Sequence, residues 1–204
     1  MCYTENDSLL AYVINFSMSL ILFIKSNDNH AKVLSLFFLF VGQLQIFDYI
    51  FWKNQSCNQI NNITTKLAII FNHLQPIIFI LLQYIYEFEL SQVSIITIII
   101  YLIASVSYTY NALNNVNCTL PNNKIIDWKW NKQEYNSFYY FIFLMSLSIS
   151  SFNFTNTNIQ YMSVIVNWIS YFVATKTPIL NYSIGRIWCY YASLIPLFLS
   201  IFIK

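Results

Sequence analysis

Seven stretches of roughly 16 to 20 residues run almost free of charge through this chain, and nothing else in it restricts the fold as much. They are Leu9–Ile24, Val33–Trp52, Leu67–Tyr86, Val93–Tyr110, Phe138–Phe154, Ile159–Thr175 and Ile184–Ile203. A membrane-spanning helix needs about 20 mostly apolar residues, with a range of about 17 to 25. The second, third, fourth and seventh stretches satisfy that requirement well. The first is short, and the fifth and sixth carry several Ser and Asn, so six spans stay open beside seven. Only 9% of the 204 residues are charged, against about a quarter in a soluble domain. A water-facing surface of ordinary size cannot be built from so few charges. The expected fold is therefore all-α: a polytopic membrane helical bundle of about seven spans, forming a single domain over 1–204, with the lipid bilayer as its first partner. The formal charge of +2 points to no nucleic-acid partner. Glu5 and Asp7 stand where a signal peptide would carry basic residues, and no small-residue cleavage site follows. The first helix is thus expected to remain as a signal anchor.

Seven spans put the termini on opposite sides and make the molecule lopsided. The side holding Met1, here the loop-rich face, also holds Lys53–Lys66, Asn111–Ser137 and Lys176–Ser183. The short-loop face holds only the turns near Lys25–Lys32, Glu87–Gln92 and Thr155–Asn158, plus Lys204. Basic residues favour a cytoplasmic loop-rich face, with Lys53, Lys66, Lys124, Lys129, Lys132, Lys176 and Arg186 there against Lys25, Lys32 and Lys204. The acidic front and basic rear of the first helix argue the reverse. So do Asn-x-Ser/Thr matches at Asn6, Asn54, Asn62, Asn117 and Asn181, although an Asn-rich chain yields such matches by chance. Orientation stays open. Trp52 and Trp188 fall near helix ends, as an interfacial belt requires. The spelling DWKWNK suits either a segment lying on the headgroups, rings down, or an ordinary packed loop.

Polar residues interrupt the spans at one level. Gln43, Gln45 and Asp48 sit in GQLQIFDYIFW, with Gln45, Asp48 and Trp52 on one helical face. Asp48 lies about one turn, or about 6 Å, below the loop-rich face. Asn72, His73 and Gln75 in NHLQP return to about that depth in the third span, and Pro76 breaks the helical hydrogen bond to the carbonyl of Asn72. Asn15, Asn167, Arg186, Cys189 and Tyr190 fall at comparable depth in other spans. Ionisable groups inside a membrane usually face the bundle interior and find partners. One reading is a polar pocket open to the loop-rich face, with Asp48 as the anion and His73 or Arg186 as its counterpart, holding a small polar ligand. The other is that these residues only hydrogen-bond between helices and hold the bundle together.

Cys2, Cys57 and Cys118 map to the loop-rich face, and Cys189 about one turn below it. Cys57 and Cys118 lie in different loops and can bridge if that face meets an oxidising compartment; otherwise they are free thiols. No Cys-x-x-Cys pair occurs, and the two histidines, His30 and His73, lie on opposite sides. Neither a thioredoxin-like centre nor a metal site is expected, and no cofactor is implied.

The opening MCYT, the segment QLQIFDYIFW and the triplet-plus-proline NHLQP resemble an uncharacterised multi-pass family of giant viruses, algae and bacteria. The matching positions are Cys2, Tyr3, Thr4, Gln43, Asp48, Trp52, His73, Gln75 and Pro76, with Trp128 and Trp130 matching the viral members. Thr4 stands where the family has Ser. The resemblance covers mainly the first ~90 residues. It implies a multi-pass protein of a large DNA virus, in a host or virion membrane, and implies no activity. It also draws attention to Cys2, which would become an N-terminal thiol beside an amine if Met1 were removed.

Several classes are excluded. A retinal-binding protein needs a lysine within its last helix, and Ile184–Ile203 has none. Zinc hydrolysis needs more than one buried histidine. No phosphate loop, Ser-x-x-Lys or Gly-x-Ser-x-Gly occurs. A three-one-three sugar-transporter plan, with Pro76 and Pro196 as corresponding kinks, is not excluded, but no repeat beyond those prolines supports it. Three readings compete: a structural or interaction protein, a small-solute or proton pathway using Asp48 and His73, and an enzyme using Cys2 or His73.

Overall fold

The computed structural model describes residues 4–122, 125–132, 135–176, 193–197 and 199. Six α-helices make up most of this: α1 Glu5–Lys25, α2 Asn29–Lys53, α3 Gln59–Ile85, α4 Gln92–Asn115, α5 Asn136–Ser151 and α6 Thr157–Lys176. Residues 193–197 are helical as well. Between α4 and α5 the chain forms an antiparallel hairpin, β1 Leu120–Asn122 and β2 Ile125–Asp127, with Leu120 opposite Asp127. A 3-10 turn over Lys129–Lys132 follows.

Local chemistry fixes the helix ends. Thr4, Asp28, Asn58 and Ser91 cap α1 to α4, each accepting a backbone N–H from the first turn. Lys25 and Lys53 close α1 and α2, where a cation suits the helix dipole. The α3 C-terminus closes through Glu87 at φ 61, with the Phe88 N–H reaching the Gln83 carbonyl, a left-handed cap more often built on glycine.

The patterning of α1 and α4 is inside-out. In α4 the buried positions are Ser94, Ile98, Tyr101, Ser105, Tyr108 and Ala112, while Ile96, Ile99, Ile103 and Val106 are exposed. In α1 the buried stripe is Ser8, Ala11, Asn15, Ser19 and Leu22, spaced one turn apart, and Leu10, Val13, Phe16 and Ile24 face out. Small and polar inside with large and aliphatic outside is the arrangement lipid favours, because only packing and hydrogen bonding distinguish helix from lipid.

Among the described residues, α1 to α4 are long and apolar enough to cross a membrane. The expectation of about seven spans therefore holds for four. The fifth stretch forms α5, whose 16 residues reach about 24 Å, short of a ~30 Å hydrocarbon core. The sixth forms α6, whose Asn, Gln and Ser dilute its apolar content. The seventh falls mostly outside the described residues. Among the described residues the hairpin is the one departure from an all-α chain.

Packing follows chain order, with α1 on α2, α2 on α3, α4 on α5 and α5 on α6, while α3 also meets α4 and α5. Gly42 sets the closeness of the first pair: a Cβ there would lie 2.1 Å from the Asn15 Oδ1. At the short-loop face His30 ties two turns together. Its Nδ1 meets Asp28 Oδ1 at 2.6 Å and its Nε2 meets the Thr155 hydroxyl at 2.9 Å.

Candidate functional site: a disulfide-pinned cap over buried polar side chains

The segment between α4 and α5 folds back over the loop-rich end of the bundle. Three features hold it there. The first is a disulfide between Cys57 and Cys118, with Cα atoms 5.5 Å apart. The second is Asn61, one helical turn past the α3 cap. Its amide donates to the carbonyls of Asn54 (2.7 Å) and Thr119 (2.8 Å) and accepts the Thr119 N–H at 2.9 Å. The third is a bond between the hydroxyls of Thr65 and Thr119, 3.0 Å apart. Asn61, Thr65 and Thr119 are all fully buried.

The cap then places two indoles against the helices. Trp128 and Trp130 are each 0% exposed and stacked with centroids 4.9 Å apart. Of the two readings of DWKWNK, the structure gives the packed loop: the rings point into the bundle, and no headgroup-lying segment forms. The reason is a polar partner at depth. The Trp128 Nε1–H donates to Asp48 Oδ1 at 2.8 Å, and Asp48 itself is 0% exposed. A charge-assisted bond of this kind is among the stronger hydrogen bonds a protein makes.

Beside the indoles lies a tyrosine cluster. Tyr108 on α4 donates its hydroxyl to the Trp130 carbonyl at 3.0 Å and stacks flat on Tyr139 of α5, with centroids 4.0 Å apart. The Tyr139 and Tyr101 hydroxyls are 2.9 Å apart, and Tyr101 donates to the His73 carbonyl at 2.6 Å. The His73 ring sits edge-on to Tyr108 and Tyr139, and its Nδ1 meets the Thr109 hydroxyl at 2.7 Å. The His73 Nε2 is buried with no hydrogen-bond partner among the described residues. One residue before, Asn72 donates to the Tyr140 hydroxyl at 2.8 Å, and Tyr140 donates in turn to Asn131 of the cap.

The residues singled out from the sequence are distributed as follows. Gln45, Asp48, Asn72, His73 and Gln75 are all buried, at 2% exposure or less. Asp48 accepts from Trp128, and the His73 Nδ1 meets the Thr109 hydroxyl. Gln43 is half-buried and turns back to the Leu39 carbonyl of its own helix. Asn15 donates to the Ser193 carbonyl at 3.1 Å. Asn167 faces a different space, an apolar cavity of about 780 Å³ toward the short-loop face. Cys2, Arg186, Cys189 and Tyr190 lie outside the described residues. Tyr101, Tyr108, Thr109, Asn131, Tyr139 and Tyr140 were not expected from the sequence. Tyr101 and Tyr108 share a helix face through their seven-residue spacing, and that stripe is the signal that could have found them.

Among the described residues no group of three His, Cys, Asp or Glu side chains is placed to hold a metal. A groove of about 530 Å³ runs along the outer side of the tyrosine stack, lined by Ser107, Tyr108, Asn111, Tyr135 and Tyr139. Chemically, the arrangement joins a loop to four helices, α2 to α5, through buried bonds. No protein-family model, curated protein or solved structure matches the chain.

Proposed function

We propose that this is a viral multi-pass membrane protein with a structural or interaction role, whose buried polar residues serve to hold a rigid cap. The observation that carries this reading is the bond from Trp128 to Asp48, across 80 residues of sequence. An acidic residue in a spanning helix is used to anchor a loop. The same use is made of Asn72, through Tyr140 and Asn131. The cap is then a preformed surface on which another protein or a second copy can dock without first ordering a flexible loop.

The Cys57–Cys118 bridge supports an orientation. Disulfides persist in oxidising compartments and are rare where thiol buffers operate. We therefore place the loop-rich face outside the cytosol, in agreement with the acidic front and basic rear of α1. The viral assignment rests on the resemblance in the first ~90 residues.

A small-solute or proton pathway draws support from one observation, the unpartnered His73 Nε2. Asp48→Asn and His73→Ala, each purified and reconstituted into vesicles holding a pH-sensitive dye, separate the two readings. Under the cap reading both variants lower the yield and melting temperature of folded protein, and the parent shows no proton leak. A parent-dependent leak abolished by either variant, with melting unchanged, establishes the pathway instead.

A further inference from the structure

We propose that the cavity of about 780 Å³ at the short-loop half of the bundle binds the single alkyl chain of an amphiphile with a cationic amine head. This goes beyond the cap reading and requires only that the helices sit in a bilayer. The volume lies within the ~300–1,000 Å³ of ordinary ligand sites. Phe38 of α2, Phe79 of α3, Leu147 of α5 and Val166 of α6 form walls that give water no partners, and polar partners are what a buried water needs. Ser151, Ser163 and Asn167 also line the space; the Ser151 hydroxyl is committed to the Leu147 carbonyl at 2.8 Å.

The dimensions fit one leaflet. Along α2 the lining runs from Asp28 to Phe38, and along α6 it begins just before the helix and ends at Asn167. Each is about ten residues, or about 15 Å, which is half of a ~30 Å hydrocarbon core. The cavity thus starts at the membrane surface and stops near the midplane. On the α6 side Met162 and Ile165 line the cavity and remain 39% and 53% exposed, so a chain can enter sideways from the bilayer.

The mouth selects the head. Asp28, Asn156 and Asn158 stand there, and Asp28 is the only charged side chain in the described lining. Its Oδ1 takes both the His30 backbone N–H and Nδ1, while its Oδ2 makes no hydrogen bond within the described chain. A carboxylate oxygen at the end of an apolar slot suits an ammonium and repels a fatty-acid carboxylate.

The test uses two photoreactive probes with identical diazirine-bearing chains, one a long-chain amine and one a fatty acid. Each is added to the purified protein in nanodiscs, and labelled peptides are mapped by mass spectrometry. The amine probe should label the α2 and α6 lining at least tenfold more than the acid does. Val166→Trp, which sets an indole across the slot where the chain would lie, should cut that labelling at least tenfold with no loss of melting temperature. Asp28→Asn preserves the α2 cap, since Asn caps as well as Asp, and should reduce the amine preference below threefold. Labelling spread evenly over the outer faces of α1 and α4, or undiminished in Val166→Trp, overturns the site. Equal labelling by the acid overturns the head assignment and with it the proposal.

Discussion

Removing the Trp128 indole donor tests the anchoring of the cap directly. Trp128→Phe keeps an aromatic ring against Trp130 but deletes the N–H that lies 2.8 Å from Asp48 Oδ1. A hydrogen bond to a charged group contributes about 1.5–3 kcal/mol, and a buried partner left behind costs its own desolvation. The single variant also loses part of the indole volume, so its total cost mixes packing with bonding. Asp48→Leu, of similar size, separates them. It orphans the indole N–H and removes every other contact of the carboxylate. The double variant has neither group, and replacing both partners by apolar groups can be nearly neutral. The expected result is non-additivity: the double variant is more stable than the sum of the singles by about 1.5–3 kcal/mol. For a chain of this size that is roughly 3–12 °C of melting temperature. Circular dichroism of oxidised protein in nanodiscs reads the melting without relying on tryptophan emission. Additivity within about 0.5 kcal/mol would refute the claim that Asp48 anchors the cap.

Three further outcomes follow from the same geometry. Cys57→Ser with Cys118→Ser opens a link spanning 61 residues; chain entropy sets its contribution at about 4 kcal/mol, and residual helix in the unfolded state reduces that, so non-reducing gels and melting should show a loss of several degrees that added reductant reproduces in the parent. Gly42→Ala should cost about 1–3 kcal/mol, because its Cβ would lie 2.1 Å from Asn15 Oδ1, and Asn15→Ala in the same chain should recover part of that loss on thermal melting. Asn61→Ala leaves the Thr119 N–H and two carbonyls without their partner; hydrogen exchange of the 116–122 segment should rise while that of α1 stays constant.

The helices were legible in the sequence because lipid imposes a length and an apolar character that hydropathy reads directly. Their ends were less so. The apolar ruler starts the third span at Leu67, whereas α3 begins at Gln59; its first two turns are mostly polar, so hydropathy passes over them, and the signal for them is the cap at Asn58. Depth counting placed Gln45, Asp48, Asn72, His73 and Gln75 in the interior, where they are found. It paired Asp48 with His73 because neighbouring helices were the only partners that spacing can suggest. A donor that spacing could not suggest, Trp128, comes from a loop, and a Trp-x-Trp beside lysines fits an interface as well as a core until its partner is known. Tyr108 and Tyr139 escaped notice for a similar reason: a stacked pair across two helices leaves no pattern within either one.

The distance in sequence between Asp48 and Trp128 has a consequence for how the chain is made. At about 5–20 residues per second, the ribosome needs roughly 4–16 s to go from one to the other, a separation of 80 residues. Through that interval α2 is already available for insertion while its carboxylate lacks the indole it will finally meet. Insertion of α2 and closure of the cap are therefore separated in time, and the bond between them is made only after α3 and α4 have left the ribosome.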